Sequence, residues 1–154
     1  MLEDVHINKV SESRSLTFIS QSESETEKIA QELVCMLSKN SVLCFFGELG
    51  AGKTTFIRAL TKAINPSETV TSPTFVYLNI YKGNRLSVYH FDLYRLSDAE
   101  DFLNMGFEEF FKADGICCIE WSERIQAILP KNKIDVKIEH MTENARKITI
   151  TFNE

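Results

Sequence analysis

Residues 47–54 read Gly47-Glu48-Leu49-Gly50-Ala51-Gly52-Lys53-Thr54. This octapeptide matches G-x-x-x-x-G-K-[ST], the pattern of a phosphate-binding loop, or P-loop. The apolar run at 42–46 predicts a buried strand before the loop, and apolar residues at helical spacing over 55–64 predict a helix after it. Strand, loop and helix therefore follow one another in the order that the pattern requires, and we expect the chain to bind a nucleotide.

A loop of this kind holds phosphate mainly through its backbone. Glycines let successive N–H groups point inward, and the following helix presents the positive end of its dipole to the same anion. We expect Lys53 to reach the β- and γ-phosphates, and the Thr54 hydroxyl to ligate the Mg²⁺ that bridges them. The residues predicted to bind the nucleotide here are Gly47, Leu49, Gly50, Ala51, Gly52, Lys53, Thr54 and Thr55.

Length, charge and cysteine content limit the classes of protein to consider. With 154 residues, the chain is predicted to be one domain spanning 1–154. Its net charge of -5 and the lack of a long basic run argue against strong nucleic-acid binding by this chain alone. Residues 1–5 do not resemble a signal peptide and no apolar run reaches membrane-spanning length, so we expect a soluble, cytoplasmic protein. The cysteines lack metal-ligand spacing and are interpreted as small core residues: Cys35, Cys44, Cys117 and Cys118.

Apolar periodicity predicts alternating strands and helices around one sheet. The predicted strands are 15–20, 42–46, 74–81, 86–93, 116–120, 134–139 and 147–152. The predicted helices are 22–38, 55–64 and 97–106, with a further turn at 108–111. A capping box beginning at Ser97 opens the third helix. The fold class that follows is α/β, a single-domain P-loop NTPase with a mixed sheet flanked by helices.

A P-loop NTPase also needs a carboxylate near the nucleotide, to hold the metal or its water shell and to orient the nucleophile. Glu120 is the first candidate, because it ends the apolar strand 116–120, and ligands collect at the carboxyl ends of parallel strands. Asp92 is the second, since alternation along its strand leaves it half exposed, on the same face as His90. Spacing alone also allows a structural role for either acid. Trp121, the next residue after Glu120, fits either base stacking or core packing.

Four motifs occur in order along the chain. They are Gly47–Phe56, Ser72-Pro73-Thr74-Phe75, His90-Phe91-Asp92-Leu93-Tyr94-Arg95-Leu96 and Glu120-Trp121. At this spacing they closely resemble the TsaE (YjeE) family, the bacterial ATPases of tRNA threonylcarbamoyladenosine biosynthesis. The resemblance covers roughly residues 22 to 150. Each motif after the P-loop is weak by itself, whereas four in register are highly specific.

The resemblance implies a small ATPase that uses ATP and Mg²⁺ and acts with the TsaD–TsaB complex. In that family the complex transfers a threonylcarbamoyl group from its adenylate to the adenosine beside the anticodon, in tRNAs that read codons beginning with A. The TsaE member does not perform this transfer, and its ATP hydrolysis resets or supports the complex between turnovers. Contact with tRNA would accordingly be indirect, through the complex.

The resemblance also implies roles for particular residues. Asp92 would face the metal and the attacking water, and Glu120 would lie in the Mg²⁺ shell. The predicted catalytic residues are thus Lys53, Asp92 and Glu120, and the predicted metal ligands are Thr54, Glu120 and Asp92.

Four further positions follow from the resemblance. Thr74, in the switch-like segment 72–74, would contact the γ-phosphate or its metal. Trp121 would lie close to the nucleotide, and the residues around Ser22 would border the base. Glu48 departs from the Asp that the family usually carries at that position, which changes the reach of the side chain while leaving the P-loop pattern intact.

Three other functions fit parts of the sequence. Asn132-Lys133-Ile134-Asp135 matches N-K-x-D, by which GTPases read guanine, but it opens a strand instead of following one. A small phosphotransferase would need an acceptor site and an arginine-rich lid, for which the chain lacks the length and the arginine cluster. A binding module, in which the nucleotide only stabilises an interaction surface, stays open.

Hydrolysis requires stabilisation of the negative charge that builds on the γ-phosphoryl group. Arg58, Arg95 and Arg124 lie near the motifs, yet none has the sequence signature of an arginine finger. If none acts in cis, hydrolysis by the isolated chain should be slow, and a partner would accelerate it.

Overall fold

The structure, a computed structural model, describes residues 6–10, 13–66 and 77–154. Its strands are β1 His6–Val10, β2 Ser13–Ser20, β3 Val42–Phe46, β4 Leu78–Tyr81, β5 Val88–Asp92, β6 Ile116–Glu120, β7 Ile134–His140 and β8 Arg146–Asn153. Its α-helices are α1 Glu23–Val34, α2 Lys53–Ile64 and α3 Ala99–Asn104. Within the described ranges, 3₁₀ segments follow α3 and β6, at Phe107–Lys112 and Ser122–Ile128.

The described strands form one mixed sheet of eight strands in the order β1-β2-β8-β7-β3-β6-β5-β4. The central strands β7, β3, β6 and β5 are parallel, and the outer pairs are antiparallel. Parallel strands end at the same edge, so the P-loop that follows β3 lies beside the ends of β5 and β6. Asp92 and Glu120 pair in register at this edge. The topology therefore collects the segments that the motifs single out.

Two apolar clusters cover the two faces of the sheet. On one face, α1 and α2 pack over the strands, and the rings of Phe45 and Phe56 lie 5.6 Å apart between β3 and α2. On the other face, Phe102 of α3 is fully buried against Phe91 of β5, with ring centroids 5.5 Å apart. Phenylalanines of the first 3₁₀ segment join this second cluster. Burial on both faces explains the continuous apolar sequence of the central strands.

The predicted α/β pattern is confirmed, with shifted ends at the three helices, of which α2 begins two residues early, at Lys53. Helix α1 stops at Val34 instead of residue 38, where tighter i→i+3 backbone bonds take over. The capping box predicted at Ser97 is wrong by one residue, because the Asp98 carboxylate accepts the N–H of Asp101 at 2.9 Å and caps α3. Strand β1, which apolar alternation did not predict, pairs with β2 at one edge of the sheet.

The prediction that the cysteines are core residues is correct for three of them. Cys44 of β3 and Cys117 and Cys118 of β6 are buried, whereas Cys35 is exposed. Cys35 lies just past the early end of α1, which removes it from the packed face of the helix. Burial raises the pKa of Cys44 and of Cys117 to about 12, so these thiols stay protonated at neutral pH.

Candidate functional site

The P-loop connects β3 to α2 through backbone conformations that favour glycine. Gly52, which precedes the first residue of α2, has a φ of 109° and supplies no side-chain acceptor to the N–H groups of the helix. A Cβ at Gly47 would lie 2.6 Å from the carbonyl oxygen of Ile138 on β7. The loop thus runs close against the neighbouring strand and leaves the N-terminal amides of α2 available to an anion.

An open cleft of about 730 Å³ lies above this edge of the sheet. It brings together residues that are far apart in sequence. From the P-loop and α2 it includes Gly47, Glu48, Leu49, Gly50, Gly52, Lys53, Thr54 and Thr55, and from the ends of β5 and β6 it includes Asp92, Tyr94, Glu120 and Trp121. The P-loop, a lysine and two carboxylates therefore face one space.

Lys53 is the main cation of the cleft. It is 9% exposed, and its Nζ lies 5.2 Å from the ring centroid of Trp121. No carboxylate of the described residues lies within ion-pair distance of it. The ring face gives weak electrostatic support to the ammonium, which leaves its charge available to a ligand.

Asp92 lies between solvent and the sheet. Partial burial raises its pKa, and the nearby charge of Glu120 adds to that rise, whereas the N–H of Tyr94, 3.1 Å from Oδ1, opposes it. Two carboxylates side by side repel each other unless a cation is shared between them. The pair at the ends of β5 and β6 is therefore arranged for a cation.

Glu120 has a partner that the sequence pattern did not reveal. Its Oε2 lies 2.8 Å from Nε2 of His90, and the histidine is fully buried. Alternation along β5 does place His90 on the face of Asp92, but this face is covered by the helices instead of being open to solvent. The signal available was a histidine two residues before a candidate metal ligand on the same strand face.

Aromatic side chains form one wall of the cleft. The rings of Tyr94 and Trp121 lie 5.1 Å apart, and Trp121 has a φ of 60° in the left-handed region. The guanidinium carbon of Arg124 is 5.8 Å from the Trp121 ring, and its Nη2 donates to the Tyr94 carbonyl at 3.2 Å. Trp121 lines the cleft and also packs partly against the second apolar cluster, so the core packing that the sequence allowed is present, and base stacking stays a prediction.

A second residue that the sequence patterns did not indicate contacts the backbone of the P-loop. Arg146, at the start of β8, donates from Nε to the carbonyl of Ala51 at 3.0 Å. Its Nη1 also lies 3.2 Å from each of the carbonyls of Thr142 and Glu143, in the turn between β7 and β8. Because 95 residues separate Arg146 from Ala51, no local pattern in the sequence could indicate this contact.

The side of the loop away from Asp92 carries another hollow, of about 500 Å³. Ser22 and Glu23 at the start of α1 line it together with Gly50, Gly52 and Arg146. The Ser22 hydroxyl accepts the N–H of Glu25 at 3.2 Å and so caps α1. The segment expected from the resemblance to border the base is thus adjacent to the P-loop.

Other residues named from the sequence differ in how they relate to the cleft. The Leu49 side chain is 97% exposed at the tip of the loop, so a phosphate contact from this residue would come from its backbone. Arg58 and Arg95 are exposed and do not line the cleft. Thr74 and the segment 72–74 lie outside the described residues.

The donor atoms suit a metal ion that is shared with a nucleotide. The described residues contain no group of three or more His, Cys, Asp or Glu side chains placed to hold a metal ion by themselves. Thr54, Asp92 and Glu120 contribute one hydroxyl and two carboxylates to the cleft. Mg²⁺ prefers oxygen ligands and is usually bound by one or two carboxylates together with substrate phosphates. The residues present therefore fit Mg²⁺.

Comparison with known proteins identifies the family. The family model described as "Threonylcarbamoyl adenosine biosynthesis protein TsaE" matches residues 20–148. The chain belongs to the TsaE family. A TsaE protein of Aquifex aeolicus is 41% identical over 135 residues, which cover 86% of this chain and 92% of that protein. One of Treponema pallidum is 36% identical over 132 residues, which cover 86% of this chain and 97% of the relative.

A solved structure supports the same placement. The crystal structure of YdiB from Bacillus subtilis superposes with a TM-score of 0.76 and covers 97% of this chain and 88% of its own, at 27% sequence identity. The fold, an α/β P-loop fold with a mixed sheet, is therefore shared with a known protein. No helix of the described residues is long and apolar enough to cross a membrane.

The N-K-x-D match has a structural role in this TsaE family member. Asp135 accepts from Lys133 Nζ at 2.5 Å and from Asn153 Nδ2 at 3.0 Å. It is the second residue of β7, near the amino end of that strand, and pairs with Cys44 of β3, whereas the P-loop follows the carboxyl end of β3. The motif therefore lies away from the P-loop amides, and its carboxylate already accepts from two protein donors.

Proposed function

We propose that this chain is a Mg²⁺-dependent ATPase in which residues 1–154 act as one P-loop domain. The observation that carries the proposal is the single cleft in which P-loop amides, Lys53 and Thr54 face the carboxylates of Asp92 and Glu120. These are the groups that hydrolysis of a nucleoside triphosphate requires: donors for the phosphates, oxygen ligands for the metal and a group that orients water.

Each residue contributes through position and charge. The P-loop amides and Lys53 would bind the β- and γ-phosphates, and Thr54 with Glu120 would hold Mg²⁺. When bound, Mg²⁺ would neutralise charge on the phosphates. Asp92, at the partly exposed end of β5, would orient the attacking water or its metal shell. Trp121 would exclude solvent on one side and keep the Lys53 ammonium in place.

The biological role that we propose is support of tRNA threonylcarbamoylation. Family membership and the names of the relatives support the pathway, which modifies the adenosine beside the anticodon in tRNAs reading codons that begin with A. The chain would act as an accessory to the TsaD–TsaB complex and would not perform the transfer itself. A net charge of -5 agrees with indirect contact with tRNA through that complex.

Slow hydrolysis by the isolated chain is part of the proposal. Arg124 is held beside Trp121 by its bond to the Tyr94 carbonyl, and Arg146 is held by backbone carbonyls behind the P-loop. Neither is free to stabilise charge on a γ-phosphate without giving up these contacts. An activating group supplied by the TsaD–TsaB complex would explain an accessory ATPase that turns over mainly within the assembly.

The test is phosphate release from ATP and from GTP by the purified chain, with and without Mg²⁺ and the TsaD–TsaB pair. We expect hydrolysis of ATP that requires Mg²⁺ and rises sharply with the pair. Equal rates with and without metal would contradict the metal role. A lack of response to the pair would contradict the accessory role and leave the ATPase proposal standing.

A Glu120→Gln variant separates an ATPase from a binding module. The amide keeps the size of the side chain and removes the charge that would hold Mg²⁺. An ATPase would keep its metal-free affinity for the nucleotide, measured with a fluorescent analogue in EDTA, and lose turnover and support of tRNA modification. A pure binding module would keep both binding and function in the same assays.

A further inference from the structure

The buried pair of His90 and Glu120 carries an inference about how the metal ligand is positioned. His90 lies on β5, one strand away from Glu120 at the end of β6. It shares a strand face with Val88, a residue of the apolar cluster under α1 and α2. Its side chain is 0% exposed, and the Glu120 side chain is 8% exposed. A polar ring has therefore been placed in the core, directly beneath the carboxylate that lines the cleft.

The polar contacts of the ring indicate its purpose. Nε2 lies 2.8 Å from Oε2 of Glu120, and Nδ1 has no hydrogen-bond partner among the described residues. Because a carboxylate oxygen accepts, the ring proton is assigned to Nε2, which donates it to Oε2 of Glu120. Within the described part of the chain, the His90 ring thus makes one hydrogen bond, to Glu120. Its second nitrogen is buried and hydrogen-bonds to no other polar group there.

The two carboxylate oxygens of Glu120 differ in their contacts. Oε2 is occupied by the imidazole, whereas Oε1 accepts no hydrogen bond from a described residue. A glutamate at the end of a strand has several rotatable bonds, and a buried donor on one oxygen restricts the carboxylate to fewer orientations. Metal-binding side chains in proteins are commonly held in this way by a second group behind them.

We propose that His90 is a positioning residue, whose Nε2–H fixes the Glu120 carboxylate so that it is ready to ligate Mg²⁺ together with bound nucleotide. The inference rests on the proposed function, because Glu120 must be a metal ligand for its orientation to matter. His90 itself touches neither nucleotide nor metal. Its replacement should therefore weaken the coupling between Mg²⁺ and nucleotide and leave metal-free nucleotide binding intact.

The test measures that coupling in the full chain with a fluorescent ADP analogue. For each protein, the dissociation constant is determined with Mg²⁺ and with EDTA, and the ratio of the two gives the coupling. In His90→Phe, which fills the space of the ring without a donor, we expect the ratio to fall by about 10-fold or more, as for other residues behind metal ligands. The EDTA value should stay at the wild-type level.

Two variants separate positioning from packing. His90→Gln carries an amide N–H that can reach Oε2 and should restore most of the coupling. His90→Asn is also polar, but its shorter side chain stops before the Nε2 position, so it should behave like His90→Phe. Thermal unfolding without nucleotide is measured for all of them. If His90→Phe does not fold, the comparison of Gln with Asn decides.

The outcomes distinguish the two proposals. If Mg²⁺ does not change ADP binding by the wild-type protein, the metal site of the proposed function is wrong, and this inference is wrong with it. If Mg²⁺ changes ADP binding by the wild-type protein, and changes it equally in His90→Phe or His90→Asn, the inference is wrong and the proposed function stands. A parallel loss of affinity with Mg²⁺ and with EDTA would also overturn it, because that pattern reports general disruption of the P-loop.

Discussion

The two ends of the parallel strands carry similar residues and differ in how their charges are satisfied. At the amino end, Lys133 and Asp135 pair at 2.5 Å, and Asn153 completes the set. At the carboxyl end, Lys53 forms no ion pair with a described residue, and Asp92 lies beside another carboxylate at Glu120. Charges that satisfy each other stabilise a fold, whereas charges left for a third group mark a binding site.

A hollow alone does not separate the two ends. One of about 520 Å³ lies at the amino end, lined by Asn132 and Asn153 among others, and it is comparable in size to those beside the P-loop. Lys133 and Asp135 do not line it. The two ends therefore differ in whether their charged side chains are paired within the protein. Matched substitutions at the two ends test this comparison directly.

The largest difference is expected from the two lysines. Lys53→Ala removes the cation of the cleft and should lower ATP turnover by about 100-fold or more, as loss of one preorganised charge-stabilising group does in other enzymes. The reason is that no other described cation in the cleft-lining set replaces it. Phosphate release with the TsaD–TsaB pair present is the measurement.

Lys133→Ala is the matched control for that experiment. It removes an ion pair whose lysine and aspartate side chains are 14% and 26% exposed, at the end away from the P-loop. Turnover should stay within about twofold of wild type, the range of substitutions away from a site. Equal losses for both lysines would break the comparison between the two ends.

Two glycines give the next largest contrast. A Cβ at Gly47 would lie 2.6 Å from the Ile138 carbonyl oxygen, and a Cβ at Gly115, just before β6, would lie 2.6 Å from the Ser87 carbonyl oxygen. Each change to Ala should destabilise the fold by about 1–3 kcal/mol, because backbone must move. Denaturant unfolding of both variants is the measurement.

Nucleotide binding should separate the same two variants. Gly47→Ala displaces the P-loop and should weaken ADP binding by about 10-fold, since a shift of the amides costs more than 1 kcal/mol of phosphate contact. Gly115→Ala acts at the amino end of β6 and should keep wild-type affinity. Weakened binding in Gly115→Ala would show that the P-loop responds to strain anywhere in the sheet.

The P-loop, and the two carboxylates that line the cleft with it, could be singled out from the sequence because their signals are local. Gly47 to Thr54 is a contiguous pattern, and Glu120 ends a strand whose apolar sequence marks it as central. His90 was not, because its burial depends on the helices that cover β5. Arg146 was not either, since its contact to Ala51 joins segments 95 residues apart. Residues that belong to a contiguous motif can be identified from the sequence. Residues that support them through contacts between distant segments can be identified only from the folded structure.

Smaller effects are expected on stability from the aspartates. The pKa of Asp92 is raised, so the folded protein binds that proton more tightly than the unfolded chain. At neutral pH the ionised group therefore destabilises the fold, and Asp92→Asn should raise stability without nucleotide, by less than about 1 kcal/mol because the group is partly solvated. The gain should disappear as pH falls below about 3.9, the value for unfolded Asp, where both states are protonated.

Asp135→Asn is the counterpart at the amino end. It breaks a pair that is already satisfied, so it should lower stability at neutral pH, by about 0.2–1 kcal/mol. Urea unfolding of wild type and both variants at neutral and acidic pH is the measurement. Changes in unfolding free energy of opposite sign for the two variants at neutral pH would support the comparison between the two ends. A destabilised Asp92→Asn would contradict the view that its charge is kept for a ligand.

The smallest expected effect is on base selectivity. In a GTPase, the aspartate of N-K-x-D accepts hydrogen bonds from guanine, so its replacement would lower preference for GTP. Here both oxygens of Asp135 accept from Lys133 and Asn153, and the residue pairs with Cys44 below the P-loop. Competition of ATP and GTP for the fluorescent analogue should therefore give the same ratio of affinities in wild type and Asp135→Asn, within about twofold. A change in that ratio would mean that the base reaches the amino end, and the P-loop would then not define the nucleotide site by itself.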